Sequence, residues 1–358
     1  TAAGLVYLML RWRKKGDGVS QQQLMHAPKP QDSSILLKRI LVIAIPVCLG
    51  SLAVNLSGII DLLTVTGRLS HVMDTAPQQL LACYGQNIPQ AELVNGTVHN
   101  YLYGAYSGKA VVIANLVPAL TTGMAVSALP AVAESFARGN RLRTQKSIQM
   151  VLRITALFCV PAGLGISALS QEVCSLFFGM NSEVMVGAPL LRVLGLASIF
   201  IALTGTTNSL LQAVGRVSLP VKLILIGSAI KLAMNYLLVG IPQLNIQAAP
   251  WSTLACYVAI TLLSLVALRS TVGPLGVLGV FGKPMLAGLL CAAFARLTQN
   301  MLMQVTASRF AVLLSAAVGA AVYLVGLLLL RALKKEDIMM LPKGEKMAKI
   351  LEKYSLLG

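Results

Sequence analysis

The sequence predicts an all-α fold, a polytopic bundle of transmembrane helices, and three observations carry that reading. Hydrophobic residues make up 56% of the 358 and charged residues only 11%, against about 45–50% and 25% in soluble domains. The apolar residues gather in runs of about twenty that carry one charge or none, the length a helix needs to cross roughly 30 Å of hydrocarbon. Lys and Arg gather in the gaps between these runs, and mainly in every second gap.

Taken in order, residues 1–10 are apolar and are followed by Arg11, Arg13, Lys14 and Lys15. A signal peptide carries its charges before its apolar stretch, so this opening reads as the end of a helix whose start lies upstream, and the chain as an amino-terminally truncated fragment. A basic segment follows over 11–39. Eight complete spans are expected at 40–65, 105–133, 148–169, 187–214, 219–239, 248–268, 280–302 and 310–330. Each run must satisfy its backbone groups internally, which in lipid means a helix.

Orientation follows from the positive residues. Of the 29 Lys and Arg, 22 fall in one set of alternating gaps, and Arg68, Lys109 and Arg309 represent the other. The basic side is therefore expected to be cytoplasmic, with both chain ends on it. The polar stretch 66–104 becomes the one sizeable outer loop, with His71, Asp74, Glu92 and His99 and an Asn95-Gly96-Thr97 glycosylation triplet. The tail 331–358 sets Met347, Ile350, Leu351 and Tyr354 against Lys346, Lys349 and Lys353, an amphipathic pattern suited to an anionic membrane surface.

Several function classes drop out. The net charge of +17 does not point to nucleic acid, because aromatic residues are sparse and the basic residues do not line one face. The six cysteines show no CxxC pair and no metal-ligand spacing. Cys48, Cys159, Cys256 and Cys291 lie inside apolar runs as small hydrophobes, whereas Cys83 and Cys174 fall in loops on a common side, where a disulfide is one alternative. The chain carries no Gly-rich phosphate loop, zinc-binding His pattern or nucleophile elbow; it is read as a non-enzyme with no cofactor or metal.

Charge inside a span costs roughly 2.5–3.5 kcal/mol on insertion scales, so each instance needs an account. Asp61 is the only carboxylate within a span: it is either an ion-coupling site or is bonded to a helix end or Arg68. Lys231 lies well inside its span, with Gly227 and Asn235 one turn away on either side. The nine residues from Lys231 to Gly240 rise roughly 13 Å, more than a Lys stem readily snorkels across. Arg192, Arg296, Arg153 and Lys109 read first as interface anchors, with Arg192 kept as a cavity candidate. Asn115 and Asn208 serve either interhelical hydrogen bonding or a substrate cavity.

The stretch IPVCLGSLAVNLSGIIDLLTVTGRLS, with Asn55, Asp61 and Gly67-Arg68-Leu69, resembles a helix end in the multidrug, oligosaccharidyl-lipid and polysaccharide exporter superfamily. The likeness continues through ALPAVAESFARGN, LRVLGLASIFIALTGTTNSLLQAVGR, KLAMNYLL and EDIMMLPKGEKMAKIL. Together these segments are similar to the stage V sporulation protein B-like oligosaccharide flippases, a branch related to the lipid II flippase. The resemblance implies two six-helix lobes and two extra helices, of which 40–268 would be the second lobe and 269–330 the extra pair. The loop 66–104 is longer than that pattern.

It further implies a bacterial cell-membrane flippase that moves a polyprenyl diphosphate sugar or peptidoglycan precursor by alternating access. Lys231, Asn235, Arg192, Asn115 and Asn208 are then the cavity candidates, and Asp61 the site of a coupling sodium ion or proton. Two alternatives remain open: a cation-coupled drug exporter of the same superfamily, and a membrane glycosyltransferase or ligase using His71, Asp74, Glu92 or His99 as acid or base.

Overall fold

The computed structural model describes residues 2–15, 32–303, 309–330 and 332, and among these there are helices and turns but no strand. The basic segment 16–31 and residues 333–358 of the expected amphipathic tail lie outside the described residues. The chain divides into two compact units, Thr1–Ile45 and Pro46–Gly358.

The first unit holds helix α1, Ala2–Lys15, and the opening of α2, Ser33–Thr75. The expected break after residue 10 is absent: α1 runs on through Arg11 and Arg13, because a helix propagates through Arg and Lys at little cost. Val6, Leu10 and Trp12 on α1 and Ile35, Leu36 and Ile40 on α2 are exposed. Exposed apolar side chains of this kind suit contact with hydrocarbon.

The second unit starts with the rest of α2 and continues with α3 (Pro77–Tyr84), α4 (Gln90–Val94), α5 (Val98–Ala105), a π-helical turn (Tyr106–Ala110), α6 (Val111–Ala114) and α7 (Leu116–Ala137). After these come α8 (Arg141–Ala168), α9 (Ser170–Phe178), α10 (Ser182–Ala213), α11 (Leu219–Leu238), α12 (Ala248–Val272), α13 (Val277–Met303) and α14 (Arg309–Leu329).

Six helices among the described residues are long and apolar enough to cross a membrane: Arg141–Ala168, Ser182–Ala213, Leu219–Leu238, Asn245–Val272, Val277–Met303 and Phe310–Leu329. They match the last six expected spans. The first expected span lies within the 43-residue α2, which runs ten residues beyond position 65. The second, 105–133, is not one helix. Pro118 has no N–H with which to bond the carbonyl of Ala114, and the helix divides at Asn115, leaving Pro118 in the first turn of α7, where no donor is missed.

The stretch 66–104 is a further departure from expectation. Its polar composition reads as a loop, yet it folds as the end of α2 followed by α3, α4 and most of α5. Leu69, Val72, Leu80, Val98 and Leu102 are fully buried there and share a core with Val239 and Ile246. These apolar positions are spaced along amphipathic turns too short to register as spans.

Helix α10 is the centre of the unit and packs against α7, α8 and α12. Small residues permit that position. A Cβ on Gly195 would sit 2.7 Å from the backbone nitrogen of Ser167 and 2.9 Å from the carbonyl oxygen of Gly163, so α8 and α10 cross with backbone against backbone. Helices α13 and α14 pair with each other and dock on α8: Ser315 donates to Gln299 Oε1 at 2.9 Å, and the Tyr323 hydroxyl donates to the Leu157 carbonyl at 2.8 Å.

Candidate functional site

Three helices and the π turn bring polar side chains together inside the second unit. On α2, Ser57, Asp61 and Thr64 lie at i, i+4 and i+7, one face of a helix. On α11, Lys231 and Asn235 are one turn apart and face the same way. Ser252 and Thr253 come from the first turns of α12, and Tyr106 opens the π turn.

The Asp61 carboxylate is the hub. Lys231 Nζ donates to Asp61 Oδ2 at 2.7 Å and to Ser57 Oγ at 3.1 Å. The Tyr106 hydroxyl donates to the same Oδ2 at 3.2 Å and lies 3.2 Å from Thr253 Oγ1. Asn235 Nδ2 donates to Asp61 Oδ1 at 2.9 Å and to Thr64 Oγ1 at 3.2 Å, while Asn235 Oδ1 accepts from Ser252. Asp61 is 7% exposed, Lys231 3% and Asn235 0%.

Burial on this scale decides the electrostatics. Taking two ions out of water costs several kcal/mol each, and their attraction repays this only when the remaining lone pairs and protons are also satisfied. Each oxygen of Asp61 has at least one donor, and the Lys231 ammonium donates to both Asp61 and Ser57. A π turn adds a residue to one helical turn and recurs at functional sites; here it sets Tyr106, 1% exposed, against the carboxylate.

The profile of the family described as lipid II flippase MurJ matches residues 105–325. The chain belongs to the lipid II flippase MurJ family. The protein named lipid II flippase MurJ from Bacillus subtilis (strain 168) is 26% identical over 155 residues, 43% of this chain and 28% of that protein. The chain thus spans a little over a quarter of the length of that curated relative. A solved structure of a MOP superfamily transporter from Pyrococcus furiosus Vc1 (DSM3638) is also similar, at 15% identity and a TM-score of 0.46, covering 74% of this chain and 54% of that one.

Within the MurJ-family match lie Tyr106, Lys231, Asn235, Ser252 and Thr253; Ser57, Asp61 and Thr64 precede it. Of the residues the sequence singles out, the structure therefore gathers Asp61, Lys231 and Asn235. Asp61 does not turn to Arg68, whose guanidinium stacks over the Tyr236 ring at 4.5 Å. Lys231 does not snorkel but points inward to the carboxylate.

The other candidates stand apart. Arg192 is exposed on α10, Asn115 is exposed at the break between α6 and α7, and Asn208 is half-buried on α10 with its Oδ1 lacking a hydrogen bond. Arg153 is buried rather than an exposed anchor. Lys109 pairs with Glu183 at 3.0 Å and lies 4.5 Å above the Phe178 ring, and Arg296 Nη1 pairs with Glu172 Oε1 at 2.8 Å. Glu92 accepts from the neighbouring Thr97 hydroxyl.

Sequence reasoning missed Ser57, Thr64, Tyr106, Ser252 and Thr253. Hydroxyls within spans ordinarily bond back to the preceding turn, as Thr253 also does to the Ala249 carbonyl at 3.0 Å. The spacing of Ser57, Asp61 and Thr64 on one helix face was a signal that could have found Ser57 and Thr64, whereas Tyr106, Ser252 and Thr253 come from other elements. The Cys83–Cys174 disulfide is not formed: both are free, Cys83 exposed and Cys174 buried. Burial pushes the Cys174 thiol up to about 11, against a lowering by Lys109.

Proposed function

We propose that this MurJ-family chain works as part of a flippase that carries a lipid-linked precursor, a polyprenyl diphosphate oligosaccharide or peptidoglycan unit, across the bacterial cytoplasmic membrane by alternating access. The observation that carries this reading is the family match over residues 105–325, which spans α10 at the centre of the bundle. Helices crossing on small residues, as α8 and α10 do at Gly163 and Gly195, fit a lobe that moves as a body. The basic gaps argue for both ends of the chain on the cytoplasmic side.

The diphosphate of such a substrate needs cations in its path, because an unpaired buried diphosphate is prohibitively costly. Lys231 is matched by Asp61 and adds no net charge, so it meets a diphosphate only if that pair opens. Arg192, exposed on α10, is the candidate whose charge is turned outward. In the full-length protein reconstituted in liposomes, a fluorescent polyprenyl diphosphate sugar should cross the bilayer, and Arg192→Ala should slow it. A full-length protein that leaves the labelled lipid where it started overturns the flippase reading.

A further inference from the structure

The Asp61 site holds a positive charge that belongs to the chain itself. A carboxylate with hydroxyl oxygens nearby is the hard-oxygen donor chemistry that small cations take. Ser57 Oγ, Asp61 Oδ2 and the Tyr106 hydroxyl oxygen lie in one buried patch, with Thr64 and Thr253 hydroxyls one bond further out. Lys231 Nζ stands on two of these oxygens, 2.7 Å from the carboxylate and 3.1 Å from the serine. An ammonium is a compact point charge with three donors, so it meets the Asp61 and Ser57 oxygens as a dehydrated cation would.

We propose that Lys231 is a tethered cation: its ammonium permanently fills a socket on Asp61 and Ser57 that would otherwise take a monovalent alkali cation. Two further observations and one general argument fit. Charge in the cluster already sums to zero with Lys231 in place. The socket is sealed, with Ser57 6%, Asp61 7% and Lys231 3% exposed. A cation arriving from solution must also displace a group that the backbone holds at high effective concentration.

The socket stands on this geometry alone; its consequence for transport, that this lobe needs no alkali ion at Asp61, rests on the flippase reading. Lys231 thus decides specificity here by excluding ions. Shortening it should expose the carboxylate to them.

Thermal unfolding of the full-length protein in detergent tests the socket without measuring flipping, so a failed socket and a failed flippase reading remain distinguishable. Sodium, potassium and choline chlorides are compared at equal ionic strength. Wild-type protein should melt at one temperature in all three. Lys231→Ala should melt lower in choline and regain several degrees in sodium or potassium, since a ligand bound only by the native state raises its stability. Lys231→Ala/Asp61→Asn, with no carboxylate, should lose that response.

A wild-type protein stabilised by sodium or potassium over choline overturns the proposal, as does a folded Lys231→Ala protein indifferent to the ion. If Lys231→Ala does not fold, Lys231→Gln replaces it under the same two criteria, and the wild-type comparison decides by itself.

Discussion

Lys231 Nζ lies 2.7 Å from Asp61 Oδ2, a pair formed across 170 residues of sequence between side chains only 4% and 9% exposed. Each charge is tolerated inside the bundle because the other is there.

Breaking that pair one residue at a time leaves an uncompensated buried charge, at a cost of about 3–5 kcal/mol. Asp61→Asn and Lys231→Met should each lower the unfolding temperature sharply, and the double variant should recover most of the loss. A thermal double-mutant cycle measures this. Additive single effects would show that the pair does not interact.

Tyr106→Phe removes the hydroxyl that bonds Asp61 and faces Thr253. A buried hydrogen bond to a charged group is worth about 1.5–3 kcal/mol, and Asp61 keeps its other donors, so the lower figure is expected. Chemical unfolding of the purified protein should report it, while Tyr103→Phe at the neighbouring half-buried ring should cost less.

Gly195 is where α8 and α10 touch backbone to backbone. Overpacking a filled site costs roughly 1–3 kcal/mol, and here the obstructing atoms are backbone, so Gly195→Leu should reduce the folded yield strongly. A methyl group on Gly205, on the same helix, would meet nothing within 4 Å, and Gly205→Ala should be neutral or stabilising. Comparable losses at both positions would refute the crossing geometry.

Cysteine labelling separates Cys83 from Cys174. Cys83 is exposed and should react promptly with a maleimide. Cys174 is held as the neutral thiol below about pH 11 because burial disfavours its thiolate. It should stay unlabelled at neutral pH and become reactive only as pH approaches that value. Labelling of Cys174 as fast as Cys83 would contradict its burial.

Arg296 pairs with Glu172, which is buried with Oε2 unbonded among the described residues. Arg296→Ala should destabilise the contact between α13 and the α8–α9 corner more than Lys109→Ala destabilises its pairing with Glu183, whose carboxylate is 42% exposed. Thermal shifts for the two variants provide the comparison.

Membrane helices were legible from composition because length and hydropathy are local properties, and α8, α10, α11, α12, α13 and α14 lie where the apolar runs fall. Short helices over 77–104 were not, since their buried Leu80, Val98 and Leu102 sit among polar residues and too few turns separate the breaks. The π turn at Tyr106 leaves no mark in the sequence at all.

By itself the sequence determined that Asp61, Lys231 and Asn235 are polar groups in apolar runs and so require partners. Which partners they take was decided only by tertiary structure. Helix packing, not spacing along the chain, sets what bonds a buried charge: α2, the π turn and α11 meet at the Asp61 carboxylate, and α12 bonds two of its donors through Ser252 and Thr253.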